Sequence, residues 1–218
     1  MGEVAVPSYR KRVGYQAALL GGFATLAAAL LALGDISTRD AIAERHAEDV
    51  NASLSQVIPD ALHDNDLLDD QITLDDNGRP VSVYRATRDD RVTAVAIPIE
   101  GKGYSGIIEL IMGVDVNGNI LGVRVLSHAE TPGLGDKIEE KKSDWIFGFN
   151  GLSLDNTPLK DWAVKKDGGR FDQFSGATIT PRAVVKAIKE GLEFFRAQRA
   201  ALLTATNEKK AGEKHDES

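Results

Sequence analysis

The sequence contains no cysteine among its 218 residues. This absence excludes disulfide bonds, thiolate-held zinc, iron–sulfur clusters and c-type haem attachment. The four histidines, His46, His63, His128 and His215, are scattered, and none forms a pair at the spacing of metal ligands. Any redox role of the chain must therefore depend on an organic cofactor.

Basic residues are also in deficit, with 26 against 33 acidic residues and a net charge of −7. The sequence has no basic stripe interleaved with aromatic residues, which argues against a nucleic-acid partner. A hydrophobic content of 42% and a charged content of 27% are ordinary for a globular protein. The length leaves room for one sizeable domain with accessory segments.

One long uncharged segment runs from Val13 to Gly34. As a helix it would be about 33 Å long, which is enough to cross a bilayer core of about 30 Å. Ala32-Leu33-Gly34 resembles a signal-peptide cleavage site, but the apolar run is longer than that of a signal peptide, so we favour a retained anchor. Arg10-Lys11-Arg12 precede it, and the positive-inside rule places residues 1–12 in the cytoplasm and the main domain across the membrane.

The residues after the anchor divide into three further segments. We predict a juxtamembrane helix and loop over residues 35–70, because apolar residues recur at helical spacing up to Ile58 and Pro59 ends the pattern. A compact domain is expected over residues 71–204. The polar, charged segment 205–218 is expected to be a disordered tail.

Hairpins and a final helix characterise the sequence of the domain. Strand-forming segments flank Asp76-Asn77-Gly78 and Asn117-Gly118, which are typical hairpin turns. Arg91–Ile99 is rich in β-branched residues and adds a strand. Apolar residues recur along one face of the segment from Pro181 to Leu203. Strands flanked by helices, without regular alternation, predict an α+β fold.

The segment Asp172–Thr180 reads DQFSGATIT and is followed by Pro181. Ser175-Gly176-Ala177 removes side-chain bulk just before Thr178, so an incoming group can reach its hydroxyl. We predict Thr180 as the helix N-cap and Pro181 as the first helical residue. A hydroxyl beside a helix N-terminus suits a phosphate. The alternative is an ordinary small-residue turn before a helix.

A second segment, His128–Glu139, reads HAETPGLGDKIE. Pro132-Gly133 predicts a tight turn, and Gly135 leaves Leu134 on a loop with few side chains. An apolar residue presented in this way can pack against a flat aromatic ligand. The alternative is a surface turn whose Leu134 side chain is in the core.

Other features give weaker signals. Gly101–Gly106 resembles a phosphate cradle, but it lacks P-loop spacing, and a close approach of the backbone to a ligand or a β-bulge explains it as well. Lys165–Arg170 brings three cations near a possible phosphate, although such runs are usually solvated. Trp145 and Trp162 are expected in the core. The spacing of the nearby carboxylates Glu130, Asp136 and Asp172 specifies neither a divalent metal site nor acid–base chemistry.

Together, the anchor, the TPGLG loop and the SGATITP motif resemble one family, the G subunit (RnfG, also called RsxG) of Rnf-type ion-translocating electron transport complexes. SDW at 143–145 and WAVKKDGG at 162–169 add to the resemblance, which is weakest at residues 1–12 and 205–218. The resemblance implies an FMN-binding domain related to the C subunit of the sodium-pumping NADH:quinone oxidoreductase.

The resemblance also implies how the cofactor is held. FMN would be linked through its phosphate to Thr178 by a flavin transferase that uses FAD and Mg²⁺, and Asp172 would help the transferase to recognise the chain. The loop around Leu134 would border the isoalloxazine ring. The implied cofactor-binding residues are Glu130, Thr131, Pro132, Gly133, Leu134, Gly135, Ser175, Gly176, Ala177, Thr178 and Thr180. No catalytic residue and no metal ligand is implied.

The implied function is electron relay within a translocase that couples ferredoxin–NAD electron transfer to ion pumping, with no turnover expected from the isolated subunit. The implied partners are the other membrane subunits and, during maturation, the flavin transferase. The implied location is the bacterial inner membrane, as a single-pass protein with a periplasmic domain. Three alternatives are the C-type subunit of the sodium pump, a free-standing periplasmic flavin carrier, and a non-redox membrane-tethered binding or assembly module.

Overall fold

The computed structural model describes residues 13–76 and 78–204. The cytoplasmic N-terminus expected at 1–12, the turn residue Asn77 and the disordered tail expected at 205–218 lie outside the described residues. The contacts within the chain divide it into two units, one up to Glu48 and one from Asp49 onwards.

Helix α1 spans Val13–Val57 and contributes to both units. Its segment Val13–Arg39 is long and apolar enough to cross a membrane, with a mean hydropathy of 2.0. Large side chains there, among them Phe23 and Leu31, are exposed rather than packed against the protein. An exposed apolar helix of this length matches the thickness of a bilayer core, in agreement with the predicted anchor.

The second unit contains a five-stranded antiparallel sheet in which each strand pairs with the next along the chain. The strands are β1 (Gln71–Asp76), β2 (Arg79–Arg88), β3 (Arg91–Lys102), β4 (Ile107–Asp115) and β5 (Ile120–Ser127). Gly78 and Gly118 have φ values of +87° and +89° at the two predicted turns. Together with the helices, the sheet confirms the α+β fold and both hairpins.

The two faces of the sheet carry side chains of different size. Large residues on one face, such as Ile97 and Met112, pack with helix α2, which spans Ile179–Leu202. Small residues on the other face, such as Ala94 and Ala96, pack with the end of α1. Because both faces of the sheet are covered, the middle strands are buried almost continuously rather than at every second residue.

The end of α1 lies directly on the small-residue face. Leu54 and Val57 are fully buried there, which agrees with the helical spacing seen in the sequence. A Cβ atom at Gly113 would overlap the carbonyl oxygen of Val57, and one at Gly122 would lie 3.3 Å from the Val57 Cα. Glycines in β4 and β5 therefore allow the helix backbone to touch the sheet backbone.

The connection from β5 to α2 contains four short 3₁₀ segments, Asp136–Ile138, Asp144–Phe149, Leu159–Asp161 and Lys165–Asp167. Contacts between aromatic rings stabilise this connection. Trp145 makes edge contacts with Phe149 and Phe174 at centroid distances of 5.2 and 5.1 Å. Trp162 is buried beside Phe171, which confirms its expected core position, whereas Trp145 is half-buried and packs against the core from its periphery.

The start of α2 differs from the prediction. Thr178, not Thr180, occupies the N-cap position, and Ile179 is the first helical residue. The Thr180 hydroxyl is buried and donates a hydrogen bond to Glu130, so it does not cap the helix. Pro181 is then the third helical residue, a position that tolerates proline because the N–H groups of the first turn have no partner within the helix.

Replacing Gly113 by alanine should destabilise the domain by about 1–3 kcal/mol, because the new methyl group must displace the α1 backbone at Val57. Gly148→Ala is a matched control, since a Cβ atom there has no neighbour within 4 Å. Urea unfolding of the full chain in detergent measures the free energy of unfolding of both variants. Equal midpoints for the two variants would contradict the proposed backbone contact.

Candidate functional site

The SGAT motif forms a tight turn immediately before α2. The Ala177 N–H donates to the Phe174 carbonyl at 3.2 Å, and Gly176 has a φ of +82°. That φ value suits the third position of a type II turn, where glycine is strongly preferred. Phe174 is buried against Trp145, so the core fixes one end of the turn while Ser175 remains exposed.

The TPGLG loop forms a second turn of the same kind. The Leu134 N–H donates to the Thr131 carbonyl at 3.1 Å, and Gly133, at the third position, has a φ of +79°. The Gly133 N–H donates to Asp136 Oδ1 at 2.8 Å. This hydrogen bond lowers the pKa of Asp136 below its usual value, and Lys142, whose Nζ lies 3.6 Å from Oδ2, adds to the lowering.

The two turns meet face to face. A Cβ atom at Gly176 would lie 3.2 Å from Leu134 Cδ2, so the leucine lies against the glycine of the other turn. Leu134 is 42% exposed and Ile179, next to Thr178, is 47% exposed. The structure thus favours the interpretation in which Leu134 is presented at the surface over the one in which it lies in the core.

Thr178 lies between this apolar surface and the helix start. It is half-buried, and its side chain makes no capping hydrogen bond within the described chain. The first N–H groups of a 24-residue helix follow it directly. A group attached to its oxygen would therefore lie at the positive end of the helix dipole, where negative charge is favoured.

Glu130 connects the surrounding segments. Its carboxylate is buried, and it accepts hydrogen bonds from the Ser105 N–H, at 2.9 Å, and from the Thr180 hydroxyl. The Gly101–Gly106 segment thus contacts the TPGLG loop through the Ser105 N–H. Sequence reasoning missed this connection, because the partners of Glu130 lie 25 residues before it and 50 residues after it.

Two residues of the Lys165–Arg170 run form ion pairs. Lys165 Nζ lies 2.5 Å from Asp172, and Asp167 accepts two hydrogen bonds from Arg182 of α2 at 2.5 and 2.7 Å. The indole N–H of Trp145 also donates to the Asp172 carbonyl at 2.8 Å. These contacts connect the segment before the SGAT motif to the motif and to the helix that follows it.

A cleft of about 420 Å³ lies elsewhere in the domain, between the sheet and α2. Val81, Ile97 and Phe194 are among its lining residues, whereas Thr178 and Leu134 are not. A concave apolar cleft is the usual place for a ligand held without a covalent bond. The two turns form an exposed surface instead, which suits a covalently held ligand.

Comparison with known proteins identifies the class of the domain. Residues 103–193 match the FMN-binding domain family, and this match includes both turns and Thr178. In three dimensions the chain is similar to the crystal structure of Shewanella oneidensis NqrC, at 25% identity and a TM-score of 0.45 over 66% of this chain and 73% of that one.

Sequence relatives identify the particular family. The G subunit of the ion-translocating oxidoreductase complex of Cereibacter sphaeroides is 56% identical over 85% of each chain. The G subunits from Stutzerimonas stutzeri and Vibrio cholerae are 51% and 44% identical, over 90% and 87% of this chain and 86% and 93% of theirs. The chain belongs to the RnfG family, the G subunits of ion-translocating oxidoreductase complexes, as its motifs indicated.

Asp136 should make the TPGLG turn sensitive to acid. Its pKa is lowered by folding, so its contribution to stability is present above its unfolded pKa, near about 3.9, and is lost as the pH falls through the lower folded value. Asp136→Asn should therefore lower the melting temperature of the full chain at pH 7. The difference from wild type should shrink below about pH 4.

Thermal unfolding between about pH 7 and pH 2.5 measures this difference. Asp144→Asn is a suitable control, because Asp144 is exposed in a neighbouring 3₁₀ segment. A difference between wild type and Asp136→Asn that stays constant over the whole pH range would contradict the role of the ionised carboxylate.

Proposed function

We propose that the chain is a membrane-anchored flavoprotein subunit that carries FMN on Thr178 and relays electrons within its complex. The observation that carries this proposal is the position of Thr178. Its side chain is half-buried at the start of α2, makes no capping hydrogen bond to the described residues, and adjoins the turn that contacts Leu134.

The residues around Thr178 fit a flavin phosphoester. Gly176 leaves room that a Cβ atom would fill against Leu134, and the small side chains of the turn keep the threonine oxygen accessible. The helix start favours the phosphate charge. Leu134 and Ile179 offer exposed apolar surface on either side of the threonine, which suits a flat aromatic ring. We assign these residues to holding FMN.

Attachment is a transfer from FAD that balances without a further reactant. The Thr178 Oγ1–phosphorus bond forms, the pyrophosphate P–O bond of FAD breaks, AMP leaves, and the hydroxyl proton passes to solvent. A Mg²⁺-dependent flavin transferase would supply the catalysis, with the exposed Ser175-Gly176-Ala177 turn and Asp172 as its recognition surface. The chain needs only to present the hydroxyl.

Bound FMN supplies reversible electron transfer, and the protein binds it, orients it and sets its surroundings. We propose that this relay serves an Rnf-type complex that couples ferredoxin–NAD electron transfer to ion movement. The other membrane subunits are then its partners. The family to which the chain belongs supports this proposal, and the exposed surface around Leu134 would leave the flavin accessible to them.

We further propose that α1 anchors the chain in the bacterial inner membrane, with residues 1–12 in the cytoplasm and the FMN-binding domain in the periplasm. Arg10-Lys11-Arg12 support this orientation, because basic residues flanking a membrane helix are retained on the cytoplasmic side.

Thr178→Val should abolish flavin attachment while the domain still folds, because valine keeps the shape of threonine and lacks only the hydroxyl. The full chain would be coexpressed with a flavin transferase, purified in detergent and weighed by intact-mass spectrometry. Wild type should gain the mass of one FMN phosphoester, and the variant should gain none.

Ser175→Ala is the matched control, since it removes a hydroxyl from the same turn but not the attachment oxygen, and it should reduce labelling less than Thr178→Val. Flavin retained on Thr178→Val would show that another residue carries it. If wild type were not labelled by a transferase active on another substrate, a non-redox tethered binding module would replace the flavoprotein proposal.

The lack of cysteine allows a clean test of orientation. Ser8→Cys and Ser82→Cys each introduce a single thiol, and Ser82 is exposed on β2. A membrane-impermeant maleimide should label the Ser82→Cys chain in spheroplasts, and should label the Ser8→Cys chain only after the membrane is opened. The opposite pattern would reverse the proposed orientation, and the wild-type chain provides the blank.

A further inference from the structure

Three segments that are far apart in sequence meet at the buried carboxylate of Glu130, which is 5% exposed. Oε1 accepts the Ser105 N–H of the β3–β4 turn, and Oε2 accepts the Thr180 hydroxyl of α2. Glu130 itself begins the TPGLG loop. One side chain therefore joins the loop that carries Leu134 to the helix that begins directly after Thr178.

Two glycines make room for this carboxylate. A Cβ atom at Gly103 would overlap Glu130 Oε1. A Cβ atom at Gly135 would lie 2.9 Å from Oε2 and 3.0 Å from the Thr180 hydroxyl oxygen, closer than ordinary van der Waals contact. The Gly101–Gly106 segment, which resembles a phosphate cradle in sequence, thus contacts a carboxylate of the protein itself.

His128 holds the backbone of Glu130 through a hydrogen bond. The Glu130 N–H donates to His128 Nδ1 at 3.0 Å, and His128 Nε2 lies 3.0 Å from Glu139 Oε1. These two contacts fit the neutral imidazole with its proton on Nε2. Backbone and carboxylate of the same residue are therefore both fixed.

We propose that Glu130 is a positioning residue that sets the Leu134 turn against the Thr178 turn and thereby fixes the surroundings of the flavin. The positioning follows from these contacts alone. Its effect on the flavin rests on the proposed function. A buried carboxylate must keep its hydrogen bonds to offset the cost of burial, so the three segments are held in one arrangement.

The contacts need an acceptor at both ends of the side chain. Both carboxylate oxygens accept hydrogen bonds, from the Ser105 N–H on one side and from the Thr180 hydroxyl on the other. Glutamine can keep both contacts, because its oxygen can accept the Ser105 N–H and its NH₂ group can donate to the Thr180 hydroxyl oxygen. Methionine has neither a strong acceptor nor an N–H group, so Glu130→Met removes both contacts at a similar side-chain length.

The first experiment is amide hydrogen exchange, followed by mass spectrometry, on the full chain in detergent without flavin. Glu130→Met should accelerate exchange at least about tenfold in peptides that cover residues 103–106 and 131–135, the loss expected for one buried hydrogen bond of about 1.4 kcal/mol. Peptides from β3 and β4 should be unchanged. Glu100→Met, at an exposed position on β3, is the control.

Thr180 supplies a second pair of variants. Thr180→Val keeps the shape and loses the donor to Glu130, so it should loosen both loops, whereas Thr180→Ser keeps the hydroxyl and should retain wild-type protection. Unchanged exchange in both loops of Glu130→Met and Thr180→Val would overturn the proposal. Equal acceleration across the whole sheet would also overturn it, because it would indicate general destabilisation.

The second readout concerns the loaded chain. Glu130→Met and Thr180→Val should still accept FMN at Thr178, but their visible circular dichroism and midpoint potential should differ from wild type, whereas Thr180→Ser should keep the wild-type values. Wild-type values in the loosened variants would refute the effect on the flavin. If wild type accepts no FMN, the proposed function fails, while the exchange experiment still tests the positioning role.

Discussion

Burial of the Glu130 carboxylate is the constraint on which the arrangement of the candidate site depends. A buried carboxyl group is costly unless its oxygens are hydrogen-bonded, and here both have donors. Those donors come from a β-turn and from a helix, so satisfying one side chain fixes the relative positions of both. The close approach of Gly103 and Gly135 follows from the same requirement, because any larger residue would displace the carboxylate.

The sheet places these elements within reach of one another. Because neighbouring strands pair antiparallel in chain order, the β3–β4 turn and the end of β5 lie at the same end of the strands. Helix α2 then crosses the large-residue face, and its first turns lie close to β3, where a Cβ atom at Gly101 would be 2.9 Å from the Ala183 carbonyl oxygen. The start of α2 therefore lies at the same end of the strands as the TPGLG loop, which follows β5.

Local patterns in the sequence predicted most of the fold. Alternating and β-branched segments around Gly78 and Gly118 defined the hairpins, and the uncharged run after Arg12 defined the anchor. The predicted N-cap of α2 was wrong, because local preference for Thr180 does not record that Glu130, 50 residues away, takes its hydroxyl. The contact between Gly176 and Leu134 could not be predicted from local sequence patterns for the same reason, because it depends on tertiary packing.

The exposed surface at the proposed flavin site bears on how the cofactor would be held. A ligand retained without a covalent bond needs enough buried surface to offset the entropy lost on binding, and such surface is found in concave pockets. Leu134 and Ile179 provide apolar contact on an open surface, which is much less than a pocket provides. A phosphoester to Thr178 would remove dissociation altogether, so the ring would stay open to redox partners without being lost. Positioning would matter for the same reason, because the orientation of a ring on an open surface would depend on how firmly the two turns are held.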